Sequence, residues 1–70
     1  MNNEIKMIPV KSGTIAEIGF SESKLYANFH SGTRYCYEGI SQDEFLSIHE
    51  AHSIGSKLKE VVKHKLYKKL

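Results

Sequence analysis

The sequence predicts an α+β domain, a three-stranded antiparallel meander followed by two α-helices packed on one face of the sheet. Three observations predict it. Residues 14–38 are short runs of alternating apolar residues broken by turn residues. Residues 41–63 change to helical spacing of the apolar positions. The chain has 70 residues, which allows one small domain.

The first residues, 1–8, read as a loose lead-in, and Pro9 biases Ile8 towards an extended backbone. Ser12-Gly13 is a turn signal. The first strand then spans Thr14–Phe20, with Ala16, Ile18 and Phe20 on one face and Ile15, Glu17 and Gly19 on the other. A polar turn at residues 21–24 leads to the second strand, Leu25–His30. Its apolar face is Leu25, Ala27 and Phe29. The third strand is Arg34–Glu38, where Tyr35 and Tyr37 flank the only cysteine, Cys36.

Two registers are open to the hairpin between the second and third strands. A two-residue Ser31-Gly32 loop sets Arg34 and Glu38 beside Leu25, Ala27 and Phe29, with both tyrosines outside. A three-residue loop, His30-Ser31-Gly32, uses a left-handed Gly32 and pairs Ala27 with Tyr35 and Leu25 with Tyr37. Charged side chains pressed against a small core cost several kcal/mol, roughly, when unpaired. The second register avoids that cost. It puts both tyrosines in the core and turns Arg34, Cys36 and Glu38 outward beside Tyr26, Asn28 and His30.

Ser41 with Glu44 three residues later forms a capping box, and Asp43 and Glu44 suit the positive start of a helix. Ile40 is placed to staple onto Phe45. The first helix covers about residues 42–52, with Phe45 and Ile48 inward and His52 at the helix–sheet margin. The second begins near Ser53 or Gly55, and Ile54, Leu58, Val61 and Val62 form its stripe. Extending it would carry Lys65 into that stripe, so it ends near Lys63–His64. Residues 65–70 form a basic tail, anchored where Leu66, Tyr67 and Leu70 reach the core.

In order and spacing these motifs resemble the KTSC domain family, named for its place at the C-terminus of some lysyl-tRNA synthetases. The resemblance covers about residues 7–70. It rests on Val10 and Ser12, on Ile15, Ile18, Gly19 and Phe20, and on Leu25, Phe29, Ser31 and Gly32. Tyr35 and Tyr37 follow, then Gly55, Leu58 and Val62. One departure is Lys57-Leu58, where the family pattern has an aromatic pair. The association with a tRNA enzyme implies RNA binding.

The net charge of +2 hides an uneven layout. Residues 57–70 hold six lysines and one acid, Glu60, a net charge of +5; the remainder carries −3. Lysines bind phosphates by displacing counterions, without reading bases. Lys57, Lys59, Lys63, Lys65, Lys68 and Lys69 supply that charge, and Arg34 and Tyr26 add a stacking surface. The expectation is therefore a non-enzymatic module that binds RNA or DNA. The alternative is a protein-interaction or self-association module, including a homodimer, that uses the open sheet face.

Other chemistry finds little support. Cys36 as a nucleophile needs a nearby histidine or another positive charge, for which His30 and Arg34 are the candidates, and no oxyanion loop is apparent. His49 and His52 share a helix side, but His30, His64 and Cys36 are scattered, so no metal set forms. No glycine-rich phosphate loop indicates a cofactor. No basic start followed by an apolar run indicates a signal peptide, and no run is long enough to span a bilayer. A cytoplasmic protein without a membrane partner is the expectation.

Overall fold

The computed structural model of the chain describes residues 5–70. It contains β1 (Met7–Pro9), β2 (Ile15–Ser21), β3 (Lys24–Phe29), β4 (Arg34–Glu38), α1 (Gln42–His49), α2 (Ile54–Val62) and β5 (Tyr67–Lys69). The five strands form one sheet in sequence order, and every neighbouring pair is antiparallel. The α+β class agrees with the sequence reading. The sheet, however, has five strands rather than three. The lead-in ends in β1, with residues 1–4 outside the described residues, and the basic tail contains β5. Each added strand is three residues long and carries no clear alternation. Its pairing comes from the free edge of the neighbouring long strand.

The core lies between one sheet face and the two helices. Ile15, Ile18, Leu25, Ala27 and Tyr37 of the sheet meet Phe45, Ile48, Ile54 and Leu58 of the helices, with Ile40 between. β2 departs from simple alternation. Ile15 pairs with Phe29 but Glu17 pairs with Asn28, so Ala16 is an extra, bulged residue. The bulge brings Ile15 to the core face, where it is 0% exposed. Ile15 was expected on the open face. Burying an isoleucine side chain is worth about 1.5–3 kcal/mol, more than an alanine offers at the same place.

The β3–β4 turn takes the three-residue form. Phe29 N–H donates to the Thr33 carbonyl at 2.8 Å, Gly32 N–H donates to the Phe29 carbonyl at 2.9 Å, and Gly32 has φ +95°. Ala27 accordingly faces Tyr35 and Leu25 faces Tyr37. The β2–β3 turn is tighter. Ser21 pairs with Lys24, and Glu22 and Ser23 have φ of 51° and 64°. That is the turn whose twist suits a two-residue hairpin, built here without glycine or asparagine.

α1 starts with the expected capping box. Ser41 Oγ accepts from Glu44 N–H at 3.1 Å, and Ser41 N–H donates to the Glu44 carboxylate at 2.9 Å. Ile40 and Phe45 are both buried. The helix ends at His49 rather than near residue 52. His52 lies beyond the last turn and is exposed, so it does not pack at the helix–sheet margin. α2 ends before Lys63. Lys65 Nζ then donates to the Gly39 carbonyl at 2.8 Å and approaches the Glu44 carboxylate at 3.5 Å. These contacts bring the chain back alongside β4. The tail is held by this pairing and by the Tyr67 ring against Tyr35 and Tyr37, and not by its leucines, since Leu66 and Leu70 are 76% and 60% exposed.

Two changes test this packing. Gly19 is buried under β1: a Cβ there would meet Met7 Sδ at 2.6 Å, Ile5 Cγ2 at 2.9 Å and the Lys6 carbonyl at 3.0 Å. Gly19→Val is expected to lower stability by about 1–3 kcal/mol in urea unfolding, through displacement of β1. Conversely, replacing Glu22-Ser23 by Asn-Gly is expected to raise stability by about 1 kcal/mol, because it removes two strained left-handed residues. A neutral result for the turn exchange would contradict the described turn.

Candidate nucleic-acid interface

β4 and β5 build a concave aromatic site on the helix-covered face. Tyr37 pairs with Tyr67 and Tyr35 pairs with Lys69. Alternation along the strands therefore puts Tyr35, Tyr37, Tyr67 and Lys69 on one side. The ring centroids are 6.1 Å apart for Tyr35–Tyr37, 5.9 Å for Tyr35–Tyr67 and 6.2 Å for Tyr37–Tyr67. With Val62 at the end of α2 they line an open groove of about 320 Å³. Phe29 braces Tyr35 edge-on at 5.6 Å. Burial, and then the neighbouring Tyr35 and Tyr67, hold the Tyr37 hydroxyl above its ordinary pKa of 10.0. It stays neutral at physiological pH and can donate a hydrogen bond.

The two helices thus leave part of their sheet face uncovered. Tyr37 is buried and Tyr35 is half-buried, as core tyrosines should be. Tyr67 is mostly exposed and completes a surface that the core does not require. Sequence reasoning missed the groove because Tyr67 was assigned to the tail. The Tyr-Lys-Lys run with exposed leucines on both sides was the available signal for an edge strand.

The residues expected to bind nucleic acid are divided between two faces. Lys59 and Lys63 are exposed, one turn before Val62 and directly after it. Of the lysines, Lys69 is opposite Tyr35 at the groove, while Lys59 and Lys63 are near Val62 in sequence. Lys57 is paired with Glu60 at 3.3 Å, and Lys65 is engaged with Gly39 and Glu44. Lys68 is opposite Cys36, and Cys36 is opposite Tyr26, so Lys68, Tyr26 and Arg34 belong to the other face. Arg34 Nε donates to Asn28 Oδ1 at 2.6 Å, and the Asn28 amide donates to Glu17. Tyr26 is half-buried rather than an exposed aromatic.

Cys36 occupies the face assigned to it by the register, but it does not face solvent. It is 6% exposed. β5 converts β4 from an edge strand into an interior one and sets Lys68 beside the thiol, with Tyr26 on the other side. Burial, and then the Cys36 thiol, raise the Tyr26 hydroxyl pKa above 10.0. His30, the candidate base for Cys36, has Nε2 2.8 Å from the Ser12 carbonyl. Among the described residues no three His, Cys, Asp or Glu side chains converge on a possible metal position. No helix of the described residues is long and apolar enough to cross a membrane.

The architecture is a small α+β domain with a five-stranded antiparallel sheet and two helices on one face. The sequence model of the KTSC domain matches residues 11–67. The chain belongs to the KTSC domain family. It is similar to a KTSC domain protein from Yersinia pestis of known crystal structure, with a TM-score of 0.88 at 26% identity. That match covers 96% of this chain and 99% of the other. No curated protein matches it.

The Lys65 anchor yields a pH prediction. The Ser41 N–H, and then the Lys65 ammonium, hold the Glu44 carboxyl below its ordinary pKa of 4.5. A depressed native pKa contributes stability that is present above the unfolded value and lost as pH falls through the native one. Wild-type stability is therefore expected to fall more steeply below pH 4.5 than that of Glu44→Gln. Urea midpoints measured from neutral pH downwards check this; parallel profiles would remove Glu44 from the anchor.

Proposed function

We propose that the chain is a non-enzymatic module that binds single-stranded nucleic acid, RNA in particular, in the tyrosine groove. One observation carries the reading: Tyr35, Tyr37 and Tyr67 surround an open concavity with Lys69 opposite Tyr35, and the exposed Lys59 and Lys63 flank its fourth lining residue, Val62, in the sequence. Tyrosine rings present π-faces on which any base can stack, and lysines hold the backbone beside them. Lys57 and Lys65 have carboxylate partners and add less. The rival reading, a protein-binding or self-association surface on the open face, has weaker support. Glu17, Asn28 and Arg34 there bond to one another, and Met7 and Ile5 cover Gly19.

The test is fluorescence anisotropy with a labelled oligouridylate at about 50 and about 200 mM salt. Three lysine–phosphate contacts predict a slope of log affinity against log salt of about −2, at roughly −0.7 per contact. Tyr67→Ala is expected to weaken binding by about tenfold, within the 1–3 kcal/mol typical of one stacked base. Lys63→Glu with Lys69→Glu should flatten the slope, while Arg34→Ala leaves binding unchanged. Absence of binding at the lower salt would end the proposal. A loss on Arg34→Ala without one on Tyr67→Ala would move the site to the opposite face.

A further inference from the structure

We propose that β5 is a docking edge for an extended acidic peptide, which adds antiparallel to it as a sixth strand. This goes beyond the nucleic-acid reading, because it uses backbone groups in the sheet plane rather than side chains above it. Glu38 N–H donates to the Leu66 carbonyl at 2.9 Å, and Leu70 N–H donates to the Arg34 carbonyl at 2.8 Å. Lys68, between them, is opposite Cys36. The ladder groups of Leu66, Lys68 and Leu70 thus point to β4, and those of Tyr67 and Lys69 point outward.

The two sheet edges differ. On β1, Val10 N–H donates to the Ala16 carbonyl and Ile8 is opposite Ile18. The outward positions there are Met7 and Pro9, and proline has no N–H to offer. β5 has no such block. It exposes Leu66 and Leu70 on one face, with Lys68 between them, and Tyr67 and Lys69 on the other. Apolar side chains beside unpaired backbone groups form a template for another strand.

Charge complementarity selects the occupant. In the antiparallel registers of β5 against a second copy centred on residues 68 or 69, Lys68 faces Lys68 or Lys69 faces Lys69. Centred on residue 67, Lys69 comes opposite Lys65, which precedes the strand and is held by Gly39 and Glu44. Like charges directly opposite are destabilising. A peptide that reads apolar, acidic, acidic, polar, apolar avoids this. Its outer residues cover Leu70 and Leu66, and its carboxylates face Lys69 and Lys68.

The probe is a fluorescein-labelled peptide, Ser-Thr-Val-Glu-Glu-Thr-Val-Thr-Ser, titrated against the full chain by anisotropy. Saturable binding is expected. It should weaken by at least about tenfold when the peptide is N-methylated at the two residues opposite Tyr67 and Lys69, which removes ladder donors but no charge. Lys69→Pro deletes an outward N–H together with the Lys69 ammonium and should weaken binding at least as much; Lys68→Glu should weaken it too, and the methylated peptide, which keeps every charge, isolates the backbone part. Circular dichroism checks that these variants fold; if Lys69→Pro does not, the methylated peptide decides alone. Equal binding of the methylated peptide, or no binding of the parent, overturns the proposal. A concentration-dependent dimer in sedimentation that Lys69→Pro abolishes would also overturn it, in favour of a second copy.

Discussion

The two hydrogen bonds that close the His30-Ser31-Gly32 turn govern the rest of the molecule. They set Ala27 opposite Tyr35 and Leu25 opposite Tyr37. A slip of one residue would turn every β4 side chain to the other face. Arg34 and Glu38 would then press on the helices, and the tyrosines would leave them. Gly32 allows the chosen register because its φ of +95° costs an L side chain more than it costs glycine. With the register set, Tyr37 joins Phe45, Ile48 and Leu58 in one cluster, and Tyr35 reaches the margin where the groove begins.

β5 is the second determinant, and it depends on the first. It pairs with β4 and places Tyr67 beside Tyr37, which turns two core-margin tyrosines into a three-ring surface. The same pairing buries Cys36 on the opposite face. None of the apolar residues of the tail is buried, so what holds this strand is backbone pairing, the ring contacts of Tyr67 and the Lys65 contacts to Gly39 and Glu44. A short strand held in this way belongs to the less stable part of a domain. That property suits an element proposed here to meet ligands.

Much of the fold was legible in the sequence because local chemistry and global packing agree there. Ser41 and Glu44 announced the start of α1, the apolar stripe of α2 marked its inner face, and the cost of burying Arg34 and Glu38 selected the correct hairpin register. Features that depend on distant partners were not legible. β1 and β5 are too short to show a period, and long strands recruit them. The Ala16 bulge reverses the face of Ile15 without a glycine to mark it, since the gain lies in the core that Ile15 fills. His52 looked periodic with Phe45 and Ile48, yet α1 ends one turn earlier. The candidate site was half legible: the lysines were counted correctly, but the sheet separates Lys68, Arg34 and Tyr26 from Lys59, Lys63 and Lys69.

The Tyr-x-Tyr motif of β4 thus has two tasks, one ring closing the core and one opening the groove. Nuclear magnetic resonance of the tyrosine ring protons during titration with an oligouridylate tests this most directly, because the two sheet faces carry distinct tyrosines. The rings of Tyr35, Tyr37 and Tyr67 are expected to shift together while the Tyr26 ring does not. Shifts confined to Tyr26, or a spectrum unchanged by the oligonucleotide, would contradict it.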